Sequence, residues 1–172
     1  MKDKIHTYVA HLAKPQILVT GIVILSVVYF LANLVIKKYQ LEETLCLALN
    51  IYHEGRGEPQ SGRYAIATVT LNRVASEKYP NNVCEVVYQR SYNRDLNRYI
   101  GVFSWTQDDI TDTPMEHNAW KDAYEIARNA YHGEQREKEL SDALFYHADH
   151  IQPYWIKHKK PVKIIGSHIF YN

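Results

Sequence analysis

The stretch His53-Glu54-Gly55-Arg56-Gly57-Glu58-Pro59 sets two carboxylates, an imidazole and a guanidinium where glycines and a proline break an apolar run. Three readings compete for it. His53-Glu54 begins like the H-E-x-x-H zinc motif, which needs a second His four residues on so that both rings face one metal. Position 57 is Gly, so that reading fails. A catalytic acid needs a carboxyl that keeps its proton near neutral pH, and desolvation beside apolar groups achieves this. Glu54 stands at the end of an apolar segment, and the glycines beside it would let a bulky ligand approach the backbone. The third reading is a solvated helix end with glycines as a stop signal, and spacing alone favours it. His147 and His150 would suit zinc on a helix, but that stretch reads as strand, so no metal is assigned.

The elements that position these groups follow from periodicity. "QLEETLCLALNIYHEG" predicts a helix with Leu41, Leu45, Ala48, Leu49 and Tyr52 on one stripe. Glu54 falls off that stripe, on the side of Leu47 and Ile51. "SGRYAIATVTLNRVASE" predicts a second helix, capped by Ser61, with Ile66, Val69, Thr70 and Val74 as its apolar face. "TPMEHNAWKDAYEIARNAYHG" predicts a third. Thr113 and Glu116 have capping-box spacing, Pro114 takes the first helical position, and Gly133 closes the helix. Trp120, Ala123, Ile126, Ala127, Ala130 and Tyr131 form its buried stripe. "VCEVVYQ" is too short to assign. "ALFYH" is β-forming, and "VKIIGSHIFY" predicts two short strands about a Gly166-Ser167 turn. Helices followed by a small antiparallel sheet make an α+β domain.

Ahead of this domain runs "PQILVTGIVILSVVYFLANLVI", without a charge. Roughly 21 residues at ~1.5 Å each reach about 30 Å, the thickness of a bilayer's hydrocarbon. The run is longer than a signal peptide's apolar core and ends in Ile36-Lys37-Lys38 rather than a small-x-small site, which predicts an uncleaved anchor. The expected organisation is a cytoplasmic tail over 1–14, a transmembrane helix over 15–37 and a catalytic domain over 38–172. Lys2, Lys4 and Lys14 precede the span and Lys37 and Lys38 follow it, which places the N-terminus inside. Residues 39–172 of this single-pass cytoplasmic-membrane protein would then lie outside the cytoplasm. Cys46 and Cys84 lie in that part, and a disulfide and two buried thiols both remain open. The 172 residues carry a net charge of +1, so no nucleic-acid partner is expected.

Three blocks resemble one family. "IYHEGRGEPQSGRYAIATVTLNRV", "VVYQ…FSWTQDD" and "ALFYHADHIQPYWIKHKKPVKIIGSHIFYN" are similar, in order, to the blocks of the cell-wall hydrolases that include the spore cortex-lytic enzymes. The likeness covers residues 45 to 172. It implies a lysozyme-like, lytic-transglycosylase-like fold, mostly helical, acting on the glycan strands of peptidoglycan as a monomer without cofactor. The family's catalytic carboxylate, the first Glu of an A-E-A-R-G-E-P core, falls on Glu54. His53 and Gly55 depart from the flanking alanines. A hydrolase would need a second carboxylate, for which Glu58, Asp108 and Asp109 are the choices. A lytic transglycosylase needs Glu54 alone and leaves a 1,6-anhydro sugar. Trp105 and Tyr146 are expected to contact sugar rings, and Ser104 and Thr106 to bond sugar hydroxyls. Trp155 is expected to be structural, behind Pro153, and Arg56 to pair with a carboxylate or stay solvated. The alternatives are an N-acetylmuramoyl-L-alanine amidase and a non-catalytic wall-binding protein. The short chain with one anchor also fits a phage endolysin.

Overall fold

The computed structural model describes residues 2–93, 97–107 and 111–172. They fall into two units, residues 1–41 and 42–172. α1 spans Lys2–Glu54, so the apolar run and the helix expected over 40–55 belong to one element. Nothing between Lys37 and Leu41 is a helix breaker, which explains why the expected division into two helices is absent.

Within the first unit, the helix beginning at Gln16 has mean hydropathy 2.4 over its most apolar window, none of it buried. Its three polar interruptions are satisfied on their own helix. Thr20 donates to the Gln16 carbonyl, Ser26 to Val23 and Asn33 to Tyr29, each at 2.8 Å. Side-chain polar groups closed on the backbone in this way meet the demand that apolar surroundings impose.

The second unit is built around α2 (Gln60–Ala75). Ala65, Ile66, Ala67 and Val69 are fully buried, and Thr68 and Thr70 are buried beside them. One face meets α1, α3 (Val83–Val87) and α4 (His117–Tyr131), through Leu47, Ile51, Val83, Val87, Ile126 and Ala127. The other face packs Ala65 and Val69 on Leu140, Ala143, Ile165 and Phe170. Covered on both sides, α2 has no single apolar stripe, which is why one face was all that periodicity predicted. Ser61 does not cap it. The N-cap is Pro59, and Ser61 lies inside the helix.

α1 enters this core through Leu47, Ala48 and Ile51, all fully buried, whereas Leu41 is 48% exposed. The buried face thus spans Ala48 and Tyr52 of the predicted stripe and Leu47 and Ile51 of the Glu54 side. α3 is tied to α1 twice, by a Cys46–Cys84 disulfide and by Glu43, which accepts the N–H groups of Val83 and Cys84. α4 begins at His117, not Pro114, and no capping box forms. The Tyr52 hydroxyl takes the N–H groups of Met115 and Glu116 instead, and Glu116 pairs with Arg56. At its far end Gly133 adopts φ +78°, as the stop signal required.

Two sheets complete the unit. β1 (Arg90–Asn93) and β2 (Arg98–Gly101) form a hairpin with Tyr92 opposite Tyr99. β3 (Phe145–Ala148), β4 (Pro161–Ile165) and β5 (His168–Tyr171) form an antiparallel sheet in the order β3-β5-β4. Ile165 pairs with His168 across Gly166-Ser167, the predicted two-residue turn, with Gly166 at φ +60°.

Candidate active site

Glu54 is the last residue of α1, and the chain turns there into α2 through Gly55 and Gly57. A Cβ at Gly55 would strike the Ile51 carbonyl and the Arg63 side chain, so this glycine permits helix packing rather than ligand approach. Gly57 has open space around it but sits at φ +79°, where only glycine is unstrained.

Across from the end of α1 stands β3, whose Tyr146 donates its hydroxyl to Glu54 Oε2 at 3.3 Å. Burial raises the Glu54 pKa, while the Tyr146 hydrogen bond and the nearby Arg73 charge work the other way. Burial and the Glu54 charge push the Tyr146 phenol well above its ordinary value, so it remains a donor. The pair is a half-buried carboxyl that holds its proton to higher pH than a solvated one, beside a hydroxyl that can stabilise the carboxylate once the proton has left.

A cleft of about 880 Å³ opens beside this pair, lined by Tyr146, Arg73, Gln89, Tyr92 and Trp155 among others. Of the expected substrate contacts, Tyr146 lines it, whereas Ser104 borders a second depression with Arg90, Arg98 and Tyr99. Trp105 is only 6% exposed. Its ring is stacked on His53 at 4.4 Å, and its N–H is given to Asn50 at 3.2 Å. A ring covered in this way offers no platform to a sugar, which corrects the stacking role expected of it. Thr106 spends its hydroxyl on the Phe103 carbonyl at 2.8 Å, so its proton is committed inside the protein. The 3₁₀ turn Ser104–Gln107 therefore braces α1 more than it reaches outward.

Glu58 is neither solvated nor paired with arginine. Its side chain is 6% exposed and accepts from the Ser167 backbone N–H and hydroxyl, with His168 Nδ1 at 3.3 Å. A Cβ at Gly62 or Gly166 would run into its carboxylate. Glu58 thus clamps the β4–β5 turn to the start of α2. Asp108 and Asp109 lie outside the described residues. His53 Nε2 lies 3.3 Å from the Asp112 carbonyl, and no cluster of three metal-ligating side chains occurs among the described residues.

Three residues escaped sequence reasoning. Asn50 joins α1 to Thr70 and Trp105. Arg73 is buried against Tyr79 and Phe103 and donates to the Leu144 carbonyl at 2.9 Å. Gln89 reaches the cleft from the segment between α3 and β1. A polar residue amid the apolar positions of a helix was the available signal for the first two.

Residues 57–171 match the cell wall hydrolase family. The chain belongs to that family. Over 134 residues it is 31% identical to a spore cortex-lytic enzyme of Bacillus cereus, covering 77% of this chain and 45% of that relative. Over 125 residues it is 32% identical to the spore cortex-lytic enzyme of Bacillus subtilis strain 168, covering 72% of this chain and 35% of the other. The chain therefore spans less than half the length of these curated family relatives. The catalytic domain of the germination-specific lytic transglycosylase SleB from Bacillus anthracis superposes with TM-score 0.58 at 32% identity, covering 76% of this chain and 93% of that one. The Bacillus cereus SleB catalytic domain gives TM-score 0.51 at 29% identity, covering 76% and 91%. The residues 42–172 thus have the fold of this family's catalytic domains, mostly helical with small antiparallel sheets, as the sequence resemblance implied.

Proposed function

We propose that this chain is a membrane-anchored peptidoglycan lytic transglycosylase in which Glu54 is the single acid and base. The observation that carries the reading is the Glu54–Tyr146 pair at the edge of the cleft, a carboxyl with a raised pKa and one hydroxyl partner. Glu54 first protonates the oxygen leaving C1 of the MurNAc residue, which breaks the MurNAc–GlcNAc bond. The resulting carboxylate, held by the Tyr146 hydroxyl, then takes the proton of the muramic C6 hydroxyl as that oxygen attacks C1. The product is a 1,6-anhydro sugar, and Glu54 ends protonated as it began.

The state of Glu58 favours this route over hydrolysis. A second carboxylate would have to position water or attack C1, and Glu58 has its oxygens engaged by Ser167 and His168. Mass spectrometry of peptidoglycan digested by the full chain separates the outcomes. Anhydro-muropeptides are expected. Reducing ends would replace the reading by hydrolysis, freed peptides by an amidase, and no products by a wall-binding role.

The proposed location is the outer face of the cytoplasmic membrane, anchored through residues 15–37. The exposed apolar helix and the Cys46–Cys84 disulfide, which suits an oxidising compartment, support it. A C-terminal epitope should be open to protease from outside and stay in the membrane pellet after carbonate washing. A protected epitope would reverse the orientation.

A further inference from the structure

We propose that the outer face of the β3–β5 sheet, with the lysines that border it, is a docking surface for an anionic lipid bilayer. The inference goes beyond the glycan reading and does not depend on it. It draws on the proposed anchoring only for proximity.

The charge is visible in the sequence. Residues 150–172 contain Lys157, Lys159, Lys160 and Lys163 and no Asp or Glu, in a chain whose net charge is only +1. The structure separates these lysines by what they touch. Lys163 pairs with Glu139 at 2.5 Å. Lys159 donates to the Asn172 carbonyl at 2.6 Å, with its ammonium 3.5 Å from the centre of the Phe145 ring. Lys157 and Lys160 are exposed, and among the described residues no carboxylate pairs with either.

The apolar part follows from the pleat, because successive strand residues point to opposite faces. Ile165 and Phe170 are buried on the α2 side. Ile164 and its cross-strand partner Ile169 therefore point the other way. Over β3 that outer face is covered by Trp155 of the 3₁₀ turn Tyr154–His158, which packs on Phe145, His147 and Tyr171. Over β4, the edge strand, the cover is lost, and Ile164 is 64% and Val162 40% exposed. Lys157 lies on the 3₁₀ turn and Lys160 directly precedes β4, so unpaired cations border the exposed aliphatic side chains.

An occupant has to match both. A soluble polyanion would neutralise the lysines and leave Ile164 and Val162 in water. An apolar protein surface would cover the aliphatic groups and leave the ammonium groups unmatched. An anionic bilayer takes both. Its headgroup phosphates meet the ammonium groups at the ends of their long stems, and the aliphatic side chains enter the boundary between headgroups and acyl chains. The proposed anchor would raise the local concentration of lipid surface, so a weak face suffices.

The test is hydrogen exchange of the full chain in nanodiscs, read by mass spectrometry on peptides covering residues 156–165. One set of discs is phosphatidylcholine, and the other is an equal mixture with phosphatidylglycerol. Exchange should slow by about threefold or more in the anionic discs. High salt should reverse the slowing, since exposed charges are screened. Peptides from residues 117–131 should not change. Replacing Lys157→Gln with Lys160→Gln should abolish the slowing, and so should Val162→Ser with Ile164→Ser. All four positions are exposed, so the variants keep the core intact. Equal exchange in the two discs, or slowing that survives the lysine replacements, would overturn the face. Slowing that survives the serine replacements and is reproduced in neutral discs by soluble polyphosphate would replace the bilayer by an anionic polymer. Flotation of the wild type with neutral vesicles scores the anchor separately. Without flotation the anchored reading falls, and the face is then read from flotation with anionic vesicles, which the lysine replacements should abolish.

Discussion

Replacing Cys46 and Cys84 together by serine should lower the melting temperature of the catalytic unit by about 14 °C. The disulfide links positions 38 residues apart in sequence. Closing a loop of that size removes about 13 cal/mol/K from the unfolded chain, or about 4 kcal/mol at 25 °C. The unit of residues 42–172 should melt with an entropy of about 0.28 kcal/mol/K at ~2.1 cal/mol/K per residue, and the ratio gives the shift. Both cysteines are half-buried, so the substitutions cost little packing. The measurement is thermal unfolding of the full chain followed by near-UV circular dichroism, oxidised, reduced and doubly substituted. Reduction and substitution should produce the same fall. A drop under about 4 °C in both would refute the argument, because it would mean that Glu43 and core packing already restrict α3 and the crosslink constrains little.

Glu54→Gln should abolish glycan cleavage and raise stability at neutral pH. The folded pKa of Glu54 lies above its unfolded value, so its contribution is fully present below the unfolded pKa and is lost as pH rises through the folded one. The stability gain should therefore vanish in acid, and denaturant titrations at two pH values check it; a variant less stable at neutral pH would contradict the burial argument. Tyr146→Phe removes a hydrogen bond that favours the carboxylate, so the fall in rate with rising pH should move to higher pH while the rate drops about tenfold or more; an unmoved pH profile would show that the contact does not act on Glu54. Glu58→Gln should cost about 1–3 kcal/mol of stability through the loss of charge-assisted bonds to the β4–β5 turn, with activity largely kept below the melting temperature. Inactivity equal to that of Glu54→Gln in a folded protein would restore a two-carboxylate mechanism.

What could be read from sequence was what local pattern determines. The stripe Ala123, Ile126, Ala127 and Ala130 fixed α4, and the Gly166-Ser167 pair fixed the last hairpin, because each depends on near neighbours. The apolar run announced a helix long enough to cross a membrane. The remainder depended on distant partners. α3 exists because Asn82 caps it and Glu43 accepts its first N–H groups, and the latter lies 40 residues away. Glu116 and Thr113 have capping-box spacing, but Glu116 is taken by Arg56 and the N–H groups near it by Tyr52. At the candidate site, Glu54 was singled out through family likeness, since spacing alone favoured a solvated helix end. Tyr146 came from the same likeness, and its contact with Glu54 spans 92 residues. Gln89 gave no local sign, because its place beside the cleft is a property of the assembled fold.

The clamp between Glu58 and Ser167 spans 109 residues and ends five residues before the C-terminal Asn172. Contacts of such sequence separation form late, after loop closure has been overcome. A nascent chain, emerging with its N-terminus first, therefore carries Glu54 before it has the strand that supplies Tyr146 or the turn that Glu58 grips. The Glu54–Tyr146 pair cannot assemble until β3 has emerged and folded. If Glu54 cuts glycan as proposed, that order of assembly acts as a timer, since the carboxyl is made first and its hydroxyl partner arrives only with the β3–β5 sheet.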